Sequence, residues 1–78
     1  MTSSEQTGRT IEEKRKAAGW LRPELARRAS LRLTERLTSE RLRRIEDGAP
    51  ASYAELVAIC AALGVEPDSI SAGIRAAS

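Results

Sequence analysis

Seventy-eight residues make one small domain, and with only Trp20 and Tyr53 as aromatics its core must be built from Leu, Ile, Val and Ala. That aliphatic core, with few glycines and three prolines, predicts a helical bundle rather than a sheet. The absence of His and the single Cys remove the commonest general base, the commonest metal ligand and any internal disulfide.

Residues 1–9 hold no periodic apolar side chain, which predicts a disordered tail. Thr10-Ile-Glu-Glu13 has the form of a capping box, opening a first helix over Ile11 to about Ala18, with Gly19 as its stop. Ile11 and Arg15 lie one turn apart on the face that must point inward, so Arg15 needs a buried partner. Trp20 and Leu21 lead to a second helix at Pro23, with Glu24 in its first turn and Leu25, Ala26 and Ala29 inward.

Ser30 to Leu37 contains neither Gly nor Pro. Leu25, Ala29, Leu33 and Leu37 recur every four residues, so the second helix could continue. Leu31 and Leu33 also alternate like an extended linker, and Ser30 and Thr34 offer local caps. The pattern favours a break between Ser30 and Thr38.

Thr38 is an N-cap for a third helix over residues 39–47, and Gly48 and Pro50 end it. Wound at about 100° per residue, Leu42, Ile45 and Glu46 fall inward, while Glu40 and Arg44 point outward with Arg41 and Arg43 on the flanks. Glu46 is therefore the candidate partner of Arg15. Ser52-Tyr-Ala-Glu55 is a second capping box, opening a helix over Tyr53 to Leu63 with Leu56, Ile59, Cys60 and Leu63 as its core stripe and Gly64 as its stop. Glu66 to Ile70 predicts a short fifth helix, and residues 73–78 a frayed end, so the domain spans 10–72.

Charge is uneven. Between Arg22 and Arg44 stand eight arginines against Glu24, Glu35 and Glu40, a surplus of five within a chain whose net charge is only +2. Guanidinium groups suit phosphate and guanine, although a solvated basic face and a GC-rich genome account for the same composition. No Cys/His cluster, paired carboxylates or Gly-rich phosphate loop is present, so no metal, cofactor or small-molecule ligand is expected. No nucleophile–base pair is assembled either, so an enzyme is not expected. With no apolar run of spanning length and no signal-peptide core, a cytoplasmic protein is expected, without a membrane partner.

Taken in order, Arg15 with Ala18-Gly19-Trp20, Glu24-Leu25-Ala26, Ile45-Glu46-Asp47-Gly48, Leu56, and Ala62-Leu63-Gly64-Val65 with Pro67 resemble the Cro/cI-type (Xre) helix-turn-helix repressors. The resemblance covers residues 10–70 and implies a five-helix, all-α Cro/cI-repressor-like fold. It implies a helix 1–helix 3 ion pair, Arg15 with Glu46. It implies double-stranded DNA as partner, read in the major groove by the start and outer face of helix 3: Ser39, Glu40, Arg41, Arg43 and Arg44. Phosphate contacts would come from around Arg22 and Ser52, and Arg27, Arg28, Arg32 and Arg36 would add salt-dependent affinity. One departure is plain: the Ala26-to-Ile45 interval is about six residues longer than the family's, whose turn of about four residues usually opens with Gly.

The function so implied is a small transcriptional repressor acting by operator occlusion. Paired half-sites would require a homodimer, with Leu31, Leu33 and Ile74 as its apolar contacts. The alternative is a protein-interaction module, an antitoxin or adaptor that grips a protein partner through residues 30–37. Against base reading stands the plainer account, in which Glu40 and Arg44 form an i,i+4 pair that modestly stabilises an exposed helix and nothing more.

Overall fold

A computed structural model describes residues 3–67 of the chain. These form four helices and no strands: α1 (Ser3–Ala17), α2 (Arg22–Ser30), α3 (Ser39–Glu46) and α4 (Tyr53–Leu63). α4 packs chiefly on α2, α1 on α3, and α2 also on α3. The fifth helix expected after Glu66 falls largely outside the described residues, as does the expected frayed end from Gly73. No described helix is long and apolar enough to cross a membrane.

The caps explain three of the helix ends. Thr38 Oγ1 accepts the Arg41 N–H at 3.0 Å to open α3. At α4, Ser52 Oγ accepts the Glu55 N–H at 3.1 Å while Glu55 Oε1 accepts the Ser52 N–H at 2.9 Å, so both halves of the capping box form. Gly64, at φ 76°, turns the chain out of α4 in the left-handed conformation that only glycine adopts cheaply.

The start of α1 corrects the sequence expectation. Residues 3–9 are helical rather than a tail, and Thr10 does not cap: its hydroxyl donates to Gln6 O at 3.0 Å, in mid-helix. What docks this extra length is small rather than apolar. Thr7 is buried, and Gly8 lies so close to the end of α3 that an added Cβ would collide with the Ile45 carbonyl oxygen and come within 2.8 Å of that of Glu46.

Ile11, Leu25, Leu42, Ile45, Ile59 and Cys60 are fully buried and form the centre of the core, joined by Ala26, Ala29, Leu37, Leu56 and Ala58. Trp20, Leu33 and Leu63 are partly buried against it. Burial pushes the Cys60 thiol up to about 11, so it behaves as a small core hydrophobe.

Within this apolar frame sits one buried carboxylate. Glu46 accepts from Arg15 twice, Nε to Oε2 at 2.8 Å and Nη2 to Oε1 at 3.2 Å, and from Arg22 Nε to Oε1 at 2.8 Å. Arg15 Nη1 also donates to the Trp20 carbonyl at 2.8 Å. The anion thus ties the end of α3 to α1, to the α1–α2 turn and to the first residue of α2.

Two outcomes follow for stability. Glu46→Gln leaves two guanidiniums facing a neutral amide and is expected to cost about 3–5 kcal/mol in urea unfolding; a loss below about 1 kcal/mol would dismiss the cluster as a structural tie. Gly8→Ala gains about 1 kcal/mol of helix propensity yet should lower the melting temperature through its backbone collision. A raised melting temperature would place the start of α1 elsewhere.

Candidate nucleic-acid interface

α3 is the element around which a polar surface is built. Leu42, Ile45 and Glu46 are buried and fix its inner side, while Ser39, Glu40, Arg43, Arg44 and Asp47 stand exposed. With two apolar anchors and a buried carboxylate behind it, the helix has one azimuth about its axis, and its outward residues have fixed stations.

Those outward residues are paired with one another. Glu40 Oε2 lies 3.3 Å from Arg43 Nη2 and 3.5 Å from Arg44 Nη2, and Arg43 Nη1 lies 3.5 Å from Asp47 Oδ2. All four side chains are at least half exposed, so each contact holds weakly and can be exchanged for another partner.

Arg41 lies on the flank that periodicity gave it, but its guanidinium is engaged within the protein. It does not stand among the outward residues: Nε and Nη2 grip the two oxygens of Glu55 at 3.0 and 2.8 Å, and Nη2 also donates to Pro50 O at 3.0 Å. It clamps α3 to the start of α4. Periodicity put Arg41 on a flank, but nothing in the sequence showed that Glu55, already used in a capping box, would take a second partner. The pair lowers the Glu55 carboxyl below its ordinary value of 4.5, chiefly through the Arg41 hydrogen bond, and raises the Arg41 guanidinium.

Arg22 likewise has a structural task. Its Nε is committed to Glu46, which raises its pKa, but its side chain stays 33% exposed and still faces solvent in part. Arg28 donates to Glu24 at 2.6 Å and lies 4.5 Å over the Trp20 ring, while Arg27 reaches the other oxygen of Glu24 at 3.3 Å. The Arg28 bond leads the causes that hold Glu24 below the usual carboxylate range. Ser52 spends its acceptor on the α4 cap.

The long connection between α2 and α3 is a closed loop, as the favoured break implied. Ser30 Oγ accepts the Leu37 N–H at 2.8 Å, and its hydroxyl is shared between Ala26 O at 2.7 Å and Leu37 O at 3.1 Å. Leu37 is buried and Leu33 packs on the core, so residues 31–36 make an excursion that returns to where it left. Leu31 is 80% exposed. Arg32 and Arg36 are exposed, and among the described residues neither has a carboxylate within ion-pair distance.

A groove of about 640 Å³ runs between the start of α2 and the start of α3, and Pro23, Glu24, Arg27, Leu31, Arg36 and Ser39 are among the residues lining it. The structure thus gathers Arg27, Arg36 and Ser39 on one surface, and leaves Arg41 on another task. Among the described residues, no group of three or more Cys, Asp or Glu side chains could hold a metal ion.

The Arg41–Glu55 pair makes a pH-dependent contribution. Because the folded carboxyl is depressed, the stabilisation is fully present above the unfolded value and is lost as pH falls through the folded one. Glu55→Gln keeps an oxygen for the Ser52 N–H and removes the charge together with one of the two acceptors that Arg41 uses. It should cost about 1 kcal/mol or less at about pH 7, since Arg41 is 38% exposed and screened by water, and the gap should close as acidification takes the Glu55 carboxyl through its depressed folded value. A gap independent of pH would assign the loss to the cap instead.

Compared with protein-family models, with curated proteins and with solved structures, the chain matches none of them.

Proposed function

We propose that the chain is a sequence-specific double-stranded DNA-binding regulator, a small cytoplasmic repressor that occludes its operator with α3 in the major groove. The observation that supports this best is the two-sidedness of α3: a buried inner side of Leu42, Ile45 and Glu46 opposite an exposed outer side of Ser39, Glu40, Arg43 and Arg44. A helix so anchored meets a groove as a rigid reader, and it costs little ordering on binding.

Each outward residue has a chemistry to offer. Arg44, with its weak 3.5 Å hold on Glu40, can donate bidentately to guanine O6 and N7, a contact of about 1–3 kcal/mol in discrimination. Glu40 can accept from a cytosine amino group, and Arg43 can serve a base or a phosphate. Arg27 and Arg36, on the groove beside Ser39, are suited to the phosphate backbone, as are Arg28, Arg32 and the exposed part of Arg22. Arg41 leaves the set of base readers, because contact with DNA would cost its bonds to Glu55 and Pro50.

The resemblance to Cro/cI-type repressors agrees with this reading, and the Arg15–Glu46 bonds stand where that resemblance puts them. The loop is compatible with this reading, since the extra residues form an excursion between ends joined at Ser30 and Leu37. Two half-sites one helical turn apart would require two copies of the chain. A second reading, a protein-interaction module, draws on Leu31, whose exposure beside two unpaired arginines suits an acidic, apolar partner. In both readings the chain binds and does not catalyse.

Selection from a random duplex pool, with wild type and Arg44→Ala side by side, tests the proposal. Wild type should enrich an inverted repeat, and the variant should relax the preference at one base pair per half-site. Absence of any enrichment, with function lost instead on Leu31→Ser, would turn the conclusion to a protein partner.

A further inference from the structure

The ion pairs divide the basic surface into two parts of different charge. On the outward face of α3, Arg43 and Arg44 are matched by Glu40 and Asp47, so two cations meet two anions and the face is neutral. On the adjoining surface of α2 and the loop, four arginines (27, 28, 32 and 36) meet only Glu24 and Glu35, a surplus of two. Arg32 and Arg36 have no carboxylate within ion-pair distance among the described residues, and Ser30 and Leu37 hold the loop that carries them.

Resting on the DNA-binding reading, we propose that the two parts divide the work of binding. Arg32 and Arg36 take up duplex phosphates and supply sequence-blind, salt-dependent affinity. α3 adds little net affinity and supplies discrimination, because Glu40 and Asp47 offset the charge of Arg43 and Arg44 except where a matching sequence gives the carboxylate a partner of its own.

Each unpaired arginine that neutralises a phosphate releases condensed counterions, and affinity then falls with salt. Whether Arg43 or Arg44 reaches DNA beside its carboxylate or after leaving it, Glu40 or Asp47 then faces a polyanion. On most sequences there is then no net gain. Where a cytosine amino group meets Glu40 and a guanine meets Arg44, both groups find new partners. Glu40 is then a specificity-determining residue in two ways: it accepts from the right base, and at every wrong site its charge offsets that of the two guanidiniums beside it.

Three proteins separate these roles: wild type, Arg32→Gln/Arg36→Gln, and Glu40→Gln, each measured against its selected duplex and a scrambled one over a range of salt. All three substituted side chains are exposed, so the fold should be retained, and circular dichroism checks it. The double variant should weaken both duplexes by the same factor and reduce the slope of log affinity against log salt by about 1.8, with the preference between duplexes unchanged. Glu40→Gln should tighten the scrambled duplex several-fold, steepen the slope and shrink the preference. A double variant that leaves the slope unchanged, or a Glu40→Gln protein that weakens both duplexes alike, overturns the division of work while leaving DNA binding in place. Wild type that fails to bind any duplex even at low salt overturns the DNA-binding reading itself.

Discussion

A single buried carboxylate governs how this domain is assembled. Glu46 lies where the end of α3, the end of α1 and the beginning of α2 converge, and it takes two guanidiniums with three hydrogen bonds. Burying one anion alone would be costly, and burying one cation with it would only cancel the charge. The second arginine leaves the group net positive, and Arg22 relieves that by keeping part of its side chain in water. The arrangement therefore works only at the edge of the core, where one partner can reach the surface. That position gives it leverage: the azimuth of α3, and so everything its outward residues present, follows from where Glu46 is pinned.

Small residues complete that pinning from the other side. Gly8 lets α1 approach the last carbonyls of α3 more closely than any side chain would permit, and Thr7 is buried beside it. α3 is only two turns long and would not be stable in isolation. It persists because α1 closes over its end, Leu42 and Ile45 enter the core, and Arg41 ties its first turn to α4.

Much of this could be seen in the sequence, and the parts that could not share a cause. Caps were legible because they are local: Thr38, the Ser52–Glu55 box and Gly64 act within a few residues of themselves. The Arg15–Glu46 contact was legible because a charged residue on an inward face must have a partner, and only one candidate faced it. The first turns of α1 were hidden because Ser, Thr and Gly dock by being small, which a search for apolar periodicity does not register. The Thr10–Glu13 pattern then supplied a false start. The Arg41–Glu55 clamp and the Ser30–Leu37 closure were hidden because each joins residues from different elements, and no spacing rule relates them. The count of arginines between Arg22 and Arg44 was correct, yet it overstated the free charge, since Arg22 and Arg41 hold the protein together and Arg43 and Arg44 are offset by neighbouring acids.

The closure at Ser30 has an implication for how such a domain can change. Because both backbone ends of the excursion meet at one hydroxyl, the side chains between them contribute to the α2–α3 geometry chiefly through the packing of Leu33, while the N–H groups of residues 31–33 satisfy the last carbonyls of α2. Lengthening a loop whose ends are already joined adds only a slowly growing entropic cost. Residues 31–36 are in that sense a cassette: a segment that can drift in length and composition, or be exchanged for another, while the helices on either side keep their registration. New binding preferences could be acquired there without the framework having to be reinvented.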